Sequence, residues 1–174
     1  MKLCALLLFC LVGCTAPDNR GDSAVRQSDG GQAVGRSGGQ ASVPRVAVVT
    51  GVRVAGHDMY DRIVFEIEGD LPAHEVKWVT GPVFQCGSGE EVPLPGNATL
   101  VVKLSPANGH TESGEATSPG EVSGSRSANM LLAKRICDFE ADVQYAVAVK
   151  NRTDFRVSEL TGPTRLVVDV RTGL

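Results

Sequence analysis

"DRIVFEIEG", residues 61–69, decides how this chain is read. Ile63, Phe65 and Ile67 fall on one side and Arg62, Glu66 and Glu68 on the other, with Val64 the apolar exception. A period of two sends successive side chains to opposite faces, which describes a half-buried β-strand.

The same alternation recurs along the chain. "TRLVVDVR" places Leu166, Val168 and Val170 inward, with Arg165, Asp169 and Arg171 outward. "DVQYAVAVK" aligns Val143, Tyr145, Val147 and Val149, and "ATLVVKL" aligns Leu100, Val102 and Leu104. Further strands are expected at "RVAVVTGVRVA", with a bulge or kink at Gly51, and at "HEVKWVT", "LLAKRIC" and "DFRVSEL". Only "ANMLLAKRICDF" competes as a helix, and it is short. Gly69 to Pro72, Gly81-Pro82, Pro93 to Asn97 and Gly162-Pro163 are turn signals that separate these runs. About eight short strands with such punctuation predict an all-β antiparallel sandwich or barrel. Residues 105–129, "SPANGHTESGEATSPGEVSGSRSAN", are expected to form a long, flexible polar loop.

Toward the N-terminus the pattern changes. The apolar run from Leu3 to Gly13 is too short to span a bilayer, which needs about 20 apolar residues, but fits a secretory signal preceded by Lys2. Leu11-Val12-Gly13-Cys14 resembles the bacterial lipobox, which implies cleavage before Cys14 and a diacylglyceryl group on its sulfur. Leu7-Leu8-Phe9-Cys10 fits worse, because a bulky Phe precedes the Cys; a plain signal peptide is the competing reading. Two acyl chains suffice for stable anchoring where one is marginal. The expected division is a signal peptide at 1–13, a disordered Gly/Ser-rich tether at 14–43 with a reach of roughly 30 Å, and a β-domain at 44–174. Its expected address is the extracytoplasmic face of a cell membrane.

The formal charge of −3, one unit more negative once Lys2 leaves with the signal, argues against nucleic acid and leaves membrane attachment to the lipid. With Cys4 and Cys10 in the signal and Cys14 under lipid, Cys86 and Cys137 remain. In an exported chain they form either a disulfide or two separate buried thiols.

Catalytic motifs are missing from the sequence. It contains no H-E-x-x-H, no G-x-S-x-G, no phosphate-binding glycine loop and no metal-spaced Cys/His cluster, while His57, His74 and His110 lie on separate segments. A non-enzyme without metal or cofactor is expected. For a binding module, Trp78, Tyr60 and Phe84 are the candidate aromatics; Trp78, in register with Val76, suits the core better, and Tyr60, at a strand start beside Asp58 and Asp61, suits the surface better. Arg62 and Arg165 suit carboxylates, either a ligand's or those of Glu66 and Asp169 across the sheet.

Residues 61–67 and 164–170 both read as Arg, branched apolar residues, an acid and an apolar residue. At these strands the chain resembles the AMIN domains, β-sandwich modules found beside bacterial cell-wall amidases and in secretion systems. Arg62 to Gly69 matches an early "tRvvlel-G" strand, and Phe155 to Val170 matches a terminal "f-v-x-L-x-x-P-x-R-l-V-v-D-v". Similarity is greater to the AMIN-like domains of actinobacterial lipoproteins, through "G-x-D-x-Y-D-R" (Gly56 to Arg62), "GSGE-x-V-x-L-x-G" (Gly87 to Gly96) and "DFE" (Asp138 to Glu140). That resemblance implies an AMIN-like sandwich that binds the cell envelope, with peptidoglycan or another wall polymer as ligand. The alternative is an accessory lipoprotein that docks an envelope protein and has no wall affinity.

Overall fold

The computed structural model describes residues 46–173; the expected signal peptide, Cys14 and the tether lie outside them. The described residues hold twelve strands: β1 (Ala47–Gly56), β2 (Tyr60–Glu68), β3 (Ala73–Val79), β4 (Val83–Phe84), β5 (Glu91–Val92), β6 (Ala98–Ser105), β7 (Ala107–Asn108), β8 (Glu121–Ser123), β9 (Met130–Phe139), β10 (Asp142–Val149), β11 (Phe155–Leu160) and β12 (Arg165–Arg171). One five-stranded sheet runs β11-β12-β2-β1-β7, a second runs β3-β6-β10-β9-β8, and β4 pairs with β5 alone. All pairings are antiparallel except β1 with β7.

The inward residues named by alternation meet between the two large sheets. Ile63, Phe65 and Ile67 of β2 and Leu166, Val168 and Val170 of β12 are buried with Leu100, Val102 and Leu104 of β6 and Val143, Tyr145, Val147 and Val149 of β10. Phe65 meets Tyr145 edge-on across the core at 5.4 Å. β10 is apolar on both faces from Tyr145 onward because its outer face is covered too. There Ala146, Val101 and Ile136 pack under Val83 and Val92 of the β4–β5 hairpin. Cys86, just after β4, is bridged to Cys137 of β9. At Gly51 the β1/β2 register slips between Val49 and Gly51, the bulge that glycine signals. The segment that competed as a helix is β9.

Two expectations are corrected. The described residues hold twelve strands rather than about eight, because β4, β5, β7 and β8 span only two or three residues each, too few to show a period. Residues 105–129 are not a flexible excursion but lie against the sandwich. β7 pairs with β1, β8 pairs with β9, and the Thr117 hydroxyl donates to the Val49 carbonyl at 2.7 Å. Ser118 is only 5% exposed, and the Tyr145 hydroxyl donates to the Pro119 carbonyl and lies 3.1 Å from Ser118 Oγ. Several of the segment's polar groups meet protein partners, so its hydrophilic composition did not require it to stand free in water. Burial pushes the Tyr145 phenol above its ordinary pKa and keeps it a donor.

Glu140 and Ala141 join β9 to β10 with φ of 51° and 59°, positive at both central positions as in a type I′ turn. A residue with a Cβ adopts this conformation at a cost of about 1–2 kcal/mol. Ala141→Gly is therefore expected to raise stability by roughly 0.5–1 kcal/mol, after the greater freedom of glycine in the unfolded chain is subtracted. Scanning calorimetry checks this, and a lower midpoint for the variant contradicts it.

Candidate functional site

Strand polarity brings distant residues to one end of the sandwich. Residues 150–154 cross from β10 in the second sheet to β11 at the edge of the first, and pass the end of β3. The two edge strands meet on that flank: Trp78 of β3 stands edge-on to Phe155 of β11 at 6.0 Å, and His74 Nε2 lies 3.5 Å from Glu159. An open groove of about 680 Å³ lies here, lined by Trp78, Arg152, Thr153, Asp154, Phe155 and Arg171. A second hollow of about 320 Å³ shares Asp154, Phe155 and Arg171 with it and continues to Met59, Tyr60 and Arg156.

Each end of this surface carries an arginine over an aromatic ring. The Arg152 guanidinium lies 5.7 Å from the Trp78 ring centre. Arg62 lies 5.0 Å from the Tyr60 ring, on which His57 is also stacked at 4.6 Å. Arg62 faces Asp169 directly across the β2/β12 ladder, donating from Nε to Oδ1 at 2.6 Å and from Nη2 to Oδ2 at 2.8 Å. That hydrogen bond raises the Arg62 pKa above its ordinary value, so Arg62 is a fixed cation already engaged by a carboxylate.

The frame beneath the groove is polar and buried. Asn129, 2% exposed, donates from Nδ2 to the carbonyls of Asn151 and Arg171, each at 3.0 Å, and accepts the Asn151 N–H at 2.9 Å. One side chain thereby ties the residue before Arg152 to Arg171. Thr153 donates to the same Arg171 carbonyl at 2.8 Å.

Three of the four candidate binding residues, Tyr60, Arg62 and Trp78, thus border one continuous surface. Arg165 does not. It stands six positions before Arg171 on β12, about 20 Å away at strand rise, and its Nε donates to the Pro163 carbonyl at 3.3 Å. Its cross-strand neighbour Glu66 pairs with Arg53 at 2.7 Å. Trp78 is half-buried, so it serves the core and the groove at once. Reading the sequence missed Arg152, Asp154, Phe155 and Arg171 as site residues. "NRTDF" carries no motif, and only the crossing from β10 to β11 reveals where it lies.

The histidines are each occupied locally: His57 on Tyr60, His74 facing Glu159, and His110 with Nδ1 2.9 Å from Asp138, a carboxylate that also meets Arg135.

The model of the AMIN-like domain family matches residues 47–172, the span of the two sheets and the groove. This chain belongs to the AMIN-like domain family. No curated protein and no solved structure matches it. Within this AMIN-like domain the family's motif positions acquire physical roles. Asp61 and Arg62 point to opposite faces, one into the interior and one to Asp169, and Asp138 accepts from the Gly109 N–H at 2.8 Å as well as facing His110.

Proposed function

We propose that this AMIN-like domain protein is a non-enzymatic, lipid-anchored module of the cell envelope that binds peptidoglycan or another wall polymer. AMIN-like domains are in general non-catalytic, cell-wall-related binding modules. The observation that carries the finer reading is the groove itself, an open cleft of mixed polar and apolar lining with Trp78 at one end and Tyr60 at the other and arginines between them. A cleft of this composition suits a flexible chain of sugars and charged groups, since aromatic edges offer apolar contact and arginines offer directed hydrogen bonds. Attachment through Cys14, with the segment from 14 to 43 as a tether, keeps the module at the extracytoplasmic face within reach of such a polymer.

The exposed large apolar residues Val46, Met59, Phe84, Phe139 and Leu160 belong to five separate elements or turns, which gives less support to a protein-docking role. The full chain, solubilised in a non-ionic detergent, is expected to co-sediment with purified sacculi at low salt and to be released as salt rises. Absence from the sacculus pellet together with specific cross-links to a membrane protein would overturn this reading in favour of docking.

A further inference from the structure

The two stacked arginines are alike in geometry and differ in what they hold. Arg62, over Tyr60, grips the Asp169 carboxylate with two parallel hydrogen bonds. Arg152, over Trp78, makes no ion pair among the described residues, and neither do its groove neighbours Arg156 and Arg171. An aromatic face fixes the plane of a guanidinium while its edge donors stay available, so little further freedom is lost when a planar acceptor arrives.

We infer that Arg152 on Trp78 is a carboxylate-recognition site, and that its ligand is a sugar bearing a carboxylate whose ring lies along the groove beside Phe155. This rests on the wall-polymer reading and names the part of the polymer that is gripped: a glycan unit whose carboxylate is free, a uronic acid or a muramic acid that carries no stem peptide. Arg62 with Asp169 is the internal precedent for the pairing. A neutral sugar leaves the three groove arginines without an acceptor. A phosphate monoester, with close to two charges, fits less well because Asp154 lines the same groove. Thr153 and Arg171 stand within the wall that the ligand faces, and Asn129 holds that wall in place.

Trp78 is the sole tryptophan of the chain, so its fluorescence reports on this site alone. The full chain in non-ionic detergent is titrated, in the millimolar range, with N-acetylmuramic acid, with N-acetylglucosamine, which lacks the carboxylate, and with N-acetylglucosamine 6-phosphate. A saturable change in Trp78 emission is expected with the carboxylate sugar. The neutral sugar should bind about tenfold more weakly, and the phosphate sugar more weakly than the carboxylate. Arg152→Lys keeps the charge but loses the fork, and is expected to weaken the response about fivefold at an unchanged melting temperature. Arg165→Ala, about 20 Å away, should leave it intact.

Equal binding of the two unphosphorylated sugars, tighter binding of the phosphate, or an unaltered response in Arg152→Lys would overturn the inference. Sacculus retention with a silent Trp78 sinks this site and leaves wall binding standing. A carboxylate-specific response without sacculus retention does the reverse.

Discussion

Asp61→Ala is expected to lower stability by about 3–5 kcal/mol, one of the two largest effects of a local change in this domain. Asp61 is 0% exposed and has no cationic partner among the described residues; its carboxylate accepts the backbone N–H groups of Ala128, Asn129 and Met130 instead. These donors lie on the turn that leads into β9 and on its first residue, so the start of β2 in one sheet is stapled to the other sheet. Removing the acceptor strands three backbone donors at once, two of them, on Asn129 and Met130, buried. Asp61→Asn offers one acceptor oxygen and turns an amide N–H₂ toward the remaining donors, so it should recover only part of the loss. The thermal midpoint should fall by more than about 10 °C in Asp61→Ala. A denaturant midpoint for Asp61→Asn within 1 kcal/mol of the parent would refute this account. The loss also bears on function, because Asn129 is both capped by Asp61 and the residue that ties Asn151 to Arg171 under the groove.

Asp61 also marks where sequence reasoning had the information and did not use it. It shares parity with Ile63, Phe65 and Ile67, so the alternation that defined β2 already pointed it inward. Acidic side chains are so rarely buried that the pattern is naturally stopped at the first apolar residue. Arg62 and Asp169 were legible for the opposite reason: both fall on the outer parity, and a pairing across the sheet stood as one of two readings of Arg62 before the register placed them opposite each other. Long strands with one wet face declare themselves because burial selects every second residue. β7 and β8 do not, since two or three residues carry no period and their polar neighbours are satisfied by Val49, Asp138 and Tyr145 rather than by water. The groove was half legible. Tyr60 and Trp78 stood out as aromatics on strands, whereas Arg152 and Phe155 became site residues only through the crossing between sheets, a non-local event that no short window contains.

Removing the Cys86–Cys137 bridge is the second change expected to have a large effect, about 4 kcal/mol from the chain-entropy cost of a 51-residue loop. The loop it closes contains β5 through most of β9, so the bridge restricts the unfolded chain across much of the second sheet. In the folded state its role is local. It holds the β4–β5 hairpin against the outer face of β6, β9 and β10, where Val83 and Val92 cover Val101, Ile136 and Ala146. Apart from the bridge, that hairpin is tied to β9 by the Cys86 N–H donating to the Ile136 carbonyl at 3.0 Å and by Gln85 Nε2 donating to the Arg135 carbonyl at 3.4 Å. Five small apolar side chains and two hydrogen bonds are a weak hold for a two-stranded ribbon, which is marginal alone. A Cys86→Ser/Cys137→Ser variant should therefore show two signatures. Its global denaturant midpoint drops by an amount equivalent to about 4 kcal/mol, while amides of the hairpin exchange faster than those of Val102 and Tyr145. The order matters, because the main core between the large sheets is complete without the hairpin and survives its opening. A variant whose midpoint stays within 1 kcal/mol of the parent would mean that the unfolded chain is already constrained elsewhere, and the entropic account of this bridge would have to be abandoned.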